Sequence, residues 1–167
     1  MILLLVLVAA YAVVRLLTLR RRWGEGDRWR VALGAGMVIA GVAHLRAPTP
    51  FIQHLPPEVP AREELVFLTG LIEMAFGPAL WFTGGAARRW TGWALAAYLL
   101  AVFPGNVYVA VAGVDVRGQP GGAYPWLRLP LQAVFVWLAL WGTGALRRRS
   151  TDVQQPGRLR PPVAGTG

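Results

Sequence analysis

A carboxylate, an imidazole, a guanidinium and two carboxamides stand inside otherwise apolar stretches: Glu73, His44, Arg128, Asn106 and Gln132. Hydrocarbon offers such groups no partner, so each must be met by protein or by trapped water. These residue types allow three arrangements. In the first, Glu73 and Arg128 form a buried ion pair, His44, Asn106 and Gln132 satisfy one another, and the set fixes which faces pack. In the second, the groups line a pocket open to the outer leaflet that holds a polar headgroup or a quinone ring. In the third, Glu73 and His44 relay protons. No polar residue continues the path toward the inner side, which counts against transport.

Other chemistries find little footing. The chain has no cysteine, so it carries no disulfide and no thiol chemistry of its own. His44 and His54 with Glu73 make a poor metal set, because His54 falls in a proline-rich loop and no short motif joins the two histidines. No metal ligands and no catalytic residues are assigned. Neither a nucleophile–base motif nor a phosphate loop is present. Gly84-Gly85 and Gly121-Gly122 read as turns, and Tyr108 as an interfacial aromatic.

The elements that position the polar set follow from hydropathy. Hydrophobic residues make up 55% of the 167, charged residues only 15%, and mean hydropathy is +0.45. Five apolar runs emerge, at residues 1–19, 31–47, 65–83, 93–112 and 126–145. No basic segment precedes the first run, so a retained helix is expected rather than a cleaved signal, although Ala10-Tyr11-Ala12 resembles a cleavage site. In the second, Gly34, Met37, Gly41 and His44 share a face; in the third, Gly70, Glu73 and Gly77 do. Glycines on those faces permit close helix approach. Pro104 should bend the fourth run. Arg128, Gln132, Phe135, Ala139 and Gly142 share a face of the fifth. All five polar residues fall in the outer half, with Glu73 deepest at roughly 12 Å below Leu65.

Charge sets the orientation. The net charge is +9, but the arginines cluster between apolar runs, which argues for a membrane and against nucleic acid. Arg20, Arg21, Arg22, Arg28, Arg30, Arg88, Arg89 and the run Arg147-Arg148-Arg149 fall in inner segments. Outer segments hold Arg46, Arg62 and Arg117. The N-terminus is therefore expected outside and the C-terminus inside. Residues 20–30 and 84–92 read as inner loops, 48–64 as a stiff, extended proline-rich outer loop, and 113–125 as a glycine-rich outer loop. Residues 150–167 read as a disordered cytoplasmic tail.

A series of short motifs occurs in order: Gly41-Val42-Ala43-His44, Pro56-Pro57-Glu58-Val59-Pro60, Thr69-Gly70-Leu71-Ile72-Glu73, Phe103-Pro104-Gly105-Asn106-Val107-Tyr108 and Arg128-Leu129-Pro130-Leu131-Gln132. Together they resemble the DoxX-like membrane proteins of bacteria, within the DoxX/MauE group, over residues 31–146. Leu45 replaces the family's phenylalanine after the histidine, Thr69 its serine and Gly105 its alanine. None of these changes removes a polar group. The resemblance implies an all-α membrane protein, a four-helix transmembrane bundle at 31–146 plus one extra N-terminal transmembrane helix at 1–19, in the bacterial inner membrane. It also implies a link to redox or envelope-stress systems through a partner protein or a bound quinone. His44, Glu73, Asn106, Arg128 and Gln132 are then the family's polar set. The expected function is a non-catalytic membrane component. The alternative is a membrane subunit of a quinone-linked oxidoreductase that uses Glu73 and His44 for proton transfer.

Overall fold

The computed structural model describes residues 2–20 and 22–147, which include no strand. Six helices follow in order: α1 (Ile2–Leu17), α2 (Glu25–Arg46), α3 (Thr49–Ile52), α4 (Arg62–Phe82), α5 (Gly85–Ala112) and α6 (Tyr124–Gly142). The fold is all-α. The segment 150–167, expected to be a tail, lies outside the described residues.

Among the described residues, two helices, α4 and α5, are long and apolar enough to cross a membrane. Only 28% of the apolar window in each is buried within the protein. Phe67, Leu100 and Val111 point outward and are more than half exposed. Apolar side chains left outside on two such helices suit apolar surroundings. The apolar stretch of α1, Leu4–Leu17, is shorter.

The core is organised on the α2–α4 pair, the most extensive helix contact in the protein. Small residues cause it. A Cβ on Gly41 would lie 2.5 Å from the Gly70 carbonyl oxygen, and one on Gly70 would lie 2.8 Å from the His44 Cβ. Gly77 receives Val38, and Gly34 receives the Trp81 indole, whose Nε1 donates to the Val31 carbonyl at 3.0 Å. The glycine faces read from spacing are the faces that pack. Ala32, Leu33, Met37, Leu80, Leu95 and Leu138 fill the space beside this seam.

Three expected loops differ. Helix α2 begins at Glu25, inside the arginine-rich segment 20–30, with Glu25 and Asp27 in its first turn, where acidic groups suit the helix dipole. Helix α5 begins at Gly85 and takes in Arg88 and Arg89, so the second inner loop shrinks to almost nothing. The proline-rich segment 48–64 is coiled rather than extended. Pro48 precedes α3 and Pro50 sits in its first turn, where a missing N–H costs nothing. Turn bonds then run through Gln53, His54 and Leu55. Helix α5 continues through Pro104.

Charged groups tie the helix ends opposite α3. Asp27 Oδ1 accepts from Arg30 at 3.4 Å and from Arg88 at 3.2 Å. The buried Arg30 guanidinium also donates to the Leu80 and Trp81 carbonyls at the end of α4. A cation there satisfies orphan carbonyls and suits the dipole. Tyr11 of α1 donates to Glu25 at 2.6 Å, and this bond holds the Glu25 carboxyl below its ordinary value.

Candidate functional site

Glu73 is buried at mid-helix in α4, between Gly70 and Gly77. Because Gly70 lacks a side chain, His44 of α2 sits against it, one helical turn from Glu73. The imidazole then reaches the carboxylate, with Nδ1 3.0 Å from Glu73 Oε2. The same nitrogen lies 2.9 Å from the Ala40 carbonyl oxygen. A ring nitrogen carries one hydrogen at most. It is aimed at the carbonyl, so Oε2 is buried beside the imidazole with no hydrogen bond donated to it. Glu73 Oε1, by contrast, accepts from the Tyr98 hydroxyl of α5 at 2.8 Å. Tyr98 packs on Phe76, and the His44 ring stacks on Phe51 of α3 with centroids 3.6 Å apart. Phe51 thus covers the histidine.

Arg128 does not pair with Glu73. Its guanidinium donates to His54 Nε2 at 2.6 Å and to Gln119 Oε1 at 2.7 Å, and it lies over the Tyr124 ring. His54 Nδ1 in turn donates to the Pro50 carbonyl at 2.7 Å. This arrangement requires the neutral ring, protonated on Nδ1 and accepting on Nε2. Burial, and then the charge of Arg128, push the His54 pKa down to about 4. Gln53 joins the same loops. Its Oε1 accepts the Arg117 N–H at 2.8 Å, and its Nε2 donates to the Asp115 carbonyl at 3.4 Å. A short arginine-to-carboxylate route is replaced by a latch between two loops and α6.

Asn106 and Gln132 form a third group. Asn106 Nδ2 donates to Gln132 Oε1 at 3.3 Å, and Gln132 Nε2 donates to the Leu99 carbonyl at 2.7 Å. Leu99 neighbours the carbonyl of Leu100, which Pro104 leaves without its helical donor. The two amides thus satisfy each other beside the proline.

The five predicted residues therefore fall into three adjoining groups rather than one. Sequence reasoning missed Tyr98, His54, Gln119 and Phe51. Tyr98 follows the buried Leu95 by three positions, so helical spacing could have placed it on the inner face. His54 and Gln119 lie in loops, where no periodicity points inward.

Residues 33–143 match the family model described as Domain of unknown function (DUF8561). The chain belongs to that family. The DUF8561 match begins within α2 and ends just past α6, so it spans all three polar groups and leaves out α1. No curated protein matches the chain. No solved structure matches it.

Chemically, the His44–Glu73–Tyr98 group is one donor short. Glu73 Oε2 can accept a hydrogen bond from a ligand hydroxyl. Among the described residues, no group of three or more histidine, aspartate or glutamate side chains is placed to hold a metal.

Proposed function

We propose that this DUF8561 member is a five-span integral membrane protein of the DoxX-like type, a component of a redox or envelope-stress system in the bacterial inner membrane. In this reading α1, α2, α4, α5 and α6 are the spans, and α3 with the following loop covers the outer face. The polar site accepts a quinone or lipid headgroup at Glu73. The observation that carries the reading is the buried Glu73 Oε2, which lies beside His44 and receives no hydrogen bond. A buried acceptor of this kind is costly unless something fills it. A quinol hydroxyl or a headgroup hydroxyl has the required donor. The exposed apolar faces of α4 and α5 and the arginines gathered at one end support the membrane placement.

A second reading takes the same contact as a proton site. A carboxylate and an imidazole stand 3.0 Å apart, close enough for a proton to pass between them on its way to a quinone reduced by a partner protein. The chain would then be a membrane subunit of a quinone-linked oxidoreductase, with electrons supplied by the partner.

Native mass spectrometry of the membrane-extracted protein, wild type beside Glu73→Gln, tests the site. A reproducible bound mass in the wild type that is lost in the folded variant supports a ligand site, and the mass distinguishes quinone from lipid. A bare protein in both samples overturns it and leaves the cluster as architecture.

A further inference from the structure

At the end of the helices opposite α3, a cavity of ≈ 400 Å³ opens between the start of α5 and the end of α6. Arg88, Arg89 and Arg147 line it, with Gly85, Thr143 and Gly144. We infer that this cavity binds the phosphate of an anionic phospholipid headgroup. The inference rests on reading the chain as a membrane protein but not on the ligand at Glu73.

The two helix ends are unequal in what they offer. Helix α6 ends in a Schellman turn: Gly144 adopts φ +70°, its N–H donates to the Trp141 carbonyl at 3.0 Å, and the Ala145 N–H donates to Leu140 at 2.9 Å. Thr143 is fully buried and turns its hydroxyl back to the Ala139 carbonyl at 2.7 Å. The Ala139, Leu140 and Trp141 carbonyls on that wall are therefore occupied. The α5 wall is different. Gly84 gives no side-chain cap, and the Arg88 N–H makes the first helical bond, to the Gly84 carbonyl. The N–H groups of the first turn before it have no helical acceptor. The cavity thus presents donors and positive charge, which is the chemistry a phosphate takes.

The arginines are also differently committed. Arg88 Nη1 is bound to Asp27, but its buried Nε has no partner. Its Nη2 faces Gly144, where an added Cβ would stand 3.9 Å away. Among the described residues, the side chains of Arg89 and Arg147 have no ion pair. Among the described residues, the positive charge of Arg89 and Arg147 in the cavity is therefore uncompensated.

An adjoining cavity of ≈ 500 Å³ favours a lipid as the source of the phosphate. It shares Ala86 and Arg89 with the first and continues along Trp90 and Trp93. Both tryptophans are exposed, at 74% and 48%. A basic cradle that runs into an exposed indole surface fits a headgroup with its acyl chain, whereas free phosphate has no use for the second half.

The test is lipid retention by the full-length protein in detergent, read by native mass spectrometry with phosphatidylglycerol or phosphatidylcholine of identical acyl chains. The wild type should retain phosphatidylglycerol over phosphatidylcholine by roughly tenfold or more, and Arg89→Gln/Arg147→Gln should abolish that preference. Arg147→Gln alone, which alters an exposed and unpaired side chain, should lower it several-fold without touching the fold. Arg117→Gln, at the other end, should leave it unchanged. Equal retention of the two lipids, or a preference that survives both arginine variants in folded protein, overturns the inference. Arginine-dependent binding of inorganic phosphate alone that displaces no lipid would also overturn the lipid assignment. If the chain remains detergent-dependent while the preference is absent, the inference fails and the membrane reading stands.

Discussion

His44 Nδ1 stands 3.0 Å from Glu73 Oε2 because Gly70 lets the histidine's backbone settle one turn away on the facing helix. Two helices thus bring a base and an acid together by giving up a side chain between them.

The first prediction follows from that pair. His44→Leu removes the imidazole that stands against the buried carboxylate and the bond to the Ala40 carbonyl, and should cost about 1–3 kcal/mol. Glu73→Gln removes the charge and keeps an acceptor for Tyr98, so its cost should be about 1 kcal/mol. The double substitution His44→Leu/Glu73→Leu should be more stable than His44→Leu alone. Thermal unfolding in detergent orders the three, and an additive double mutant would contradict the pairing.

The glycine seam gives a second prediction. Gly41→Ala must push the Gly70 carbonyl away and should destabilise the protein by about 1–3 kcal/mol. Gly36 lies in the same helix with nothing within 4 Å of an added Cβ. Gly36→Ala should therefore be neutral, or stabilising by up to about 1 kcal/mol. Equal losses for both would show that helix propensity, and not the α2–α4 approach, governs the position.

A third prediction concerns acid. His54 has its pKa lowered to about 4 in the folded chain, against 6.5 when unperturbed. Between those values the unfolded state binds the extra proton, so stability should fall as pH drops from 6.5 toward 4 and level off below. The loss attributable to this group should reach roughly 3 kcal/mol at most. His54→Gln should flatten the slope over that window. A variant with the wild-type pH profile would show that the latch to Arg128 does not depend on neutral imidazole.

Much of this was legible from the residues, and the misreadings have physical causes. Glycine spacing exposed the seam, because a helix repeats its faces every three to four residues whatever surrounds it. Charge marked where apolar surroundings should end, but it did not mark where helices end. Arg88 and Arg89 are helical because α5 runs on past its apolar stretch, and Asp27 is present to pair Arg88. Arg128 was expected to seek the one buried carboxylate. Instead the loop from α3 folds inward, places His54 over Gly105 and takes the guanidinium first. That outcome depends on turn geometry in a proline-rich segment, which residue spacing does not encode. Tyr98 went unread because a tyrosine within an apolar run looks like another hydrophobic residue until its hydroxyl has an acceptor.

If the helices cross a membrane, the loops that carry His54 and Gln119 and the arginine cavity face opposite sides of it. Because the chain contains no cysteine, single cysteines report position cleanly. Glu58→Cys, Gly121→Cys and Ala87→Cys would each be exposed to a membrane-impermeant maleimide in intact bacterial cells and again after permeabilisation. Glu58→Cys and Gly121→Cys should label in intact cells, and Ala87→Cys only after permeabilisation. Labelling of Ala87→Cys together with Glu58→Cys in intact cells, or release of the protein from membranes by alkaline carbonate, would contradict the account.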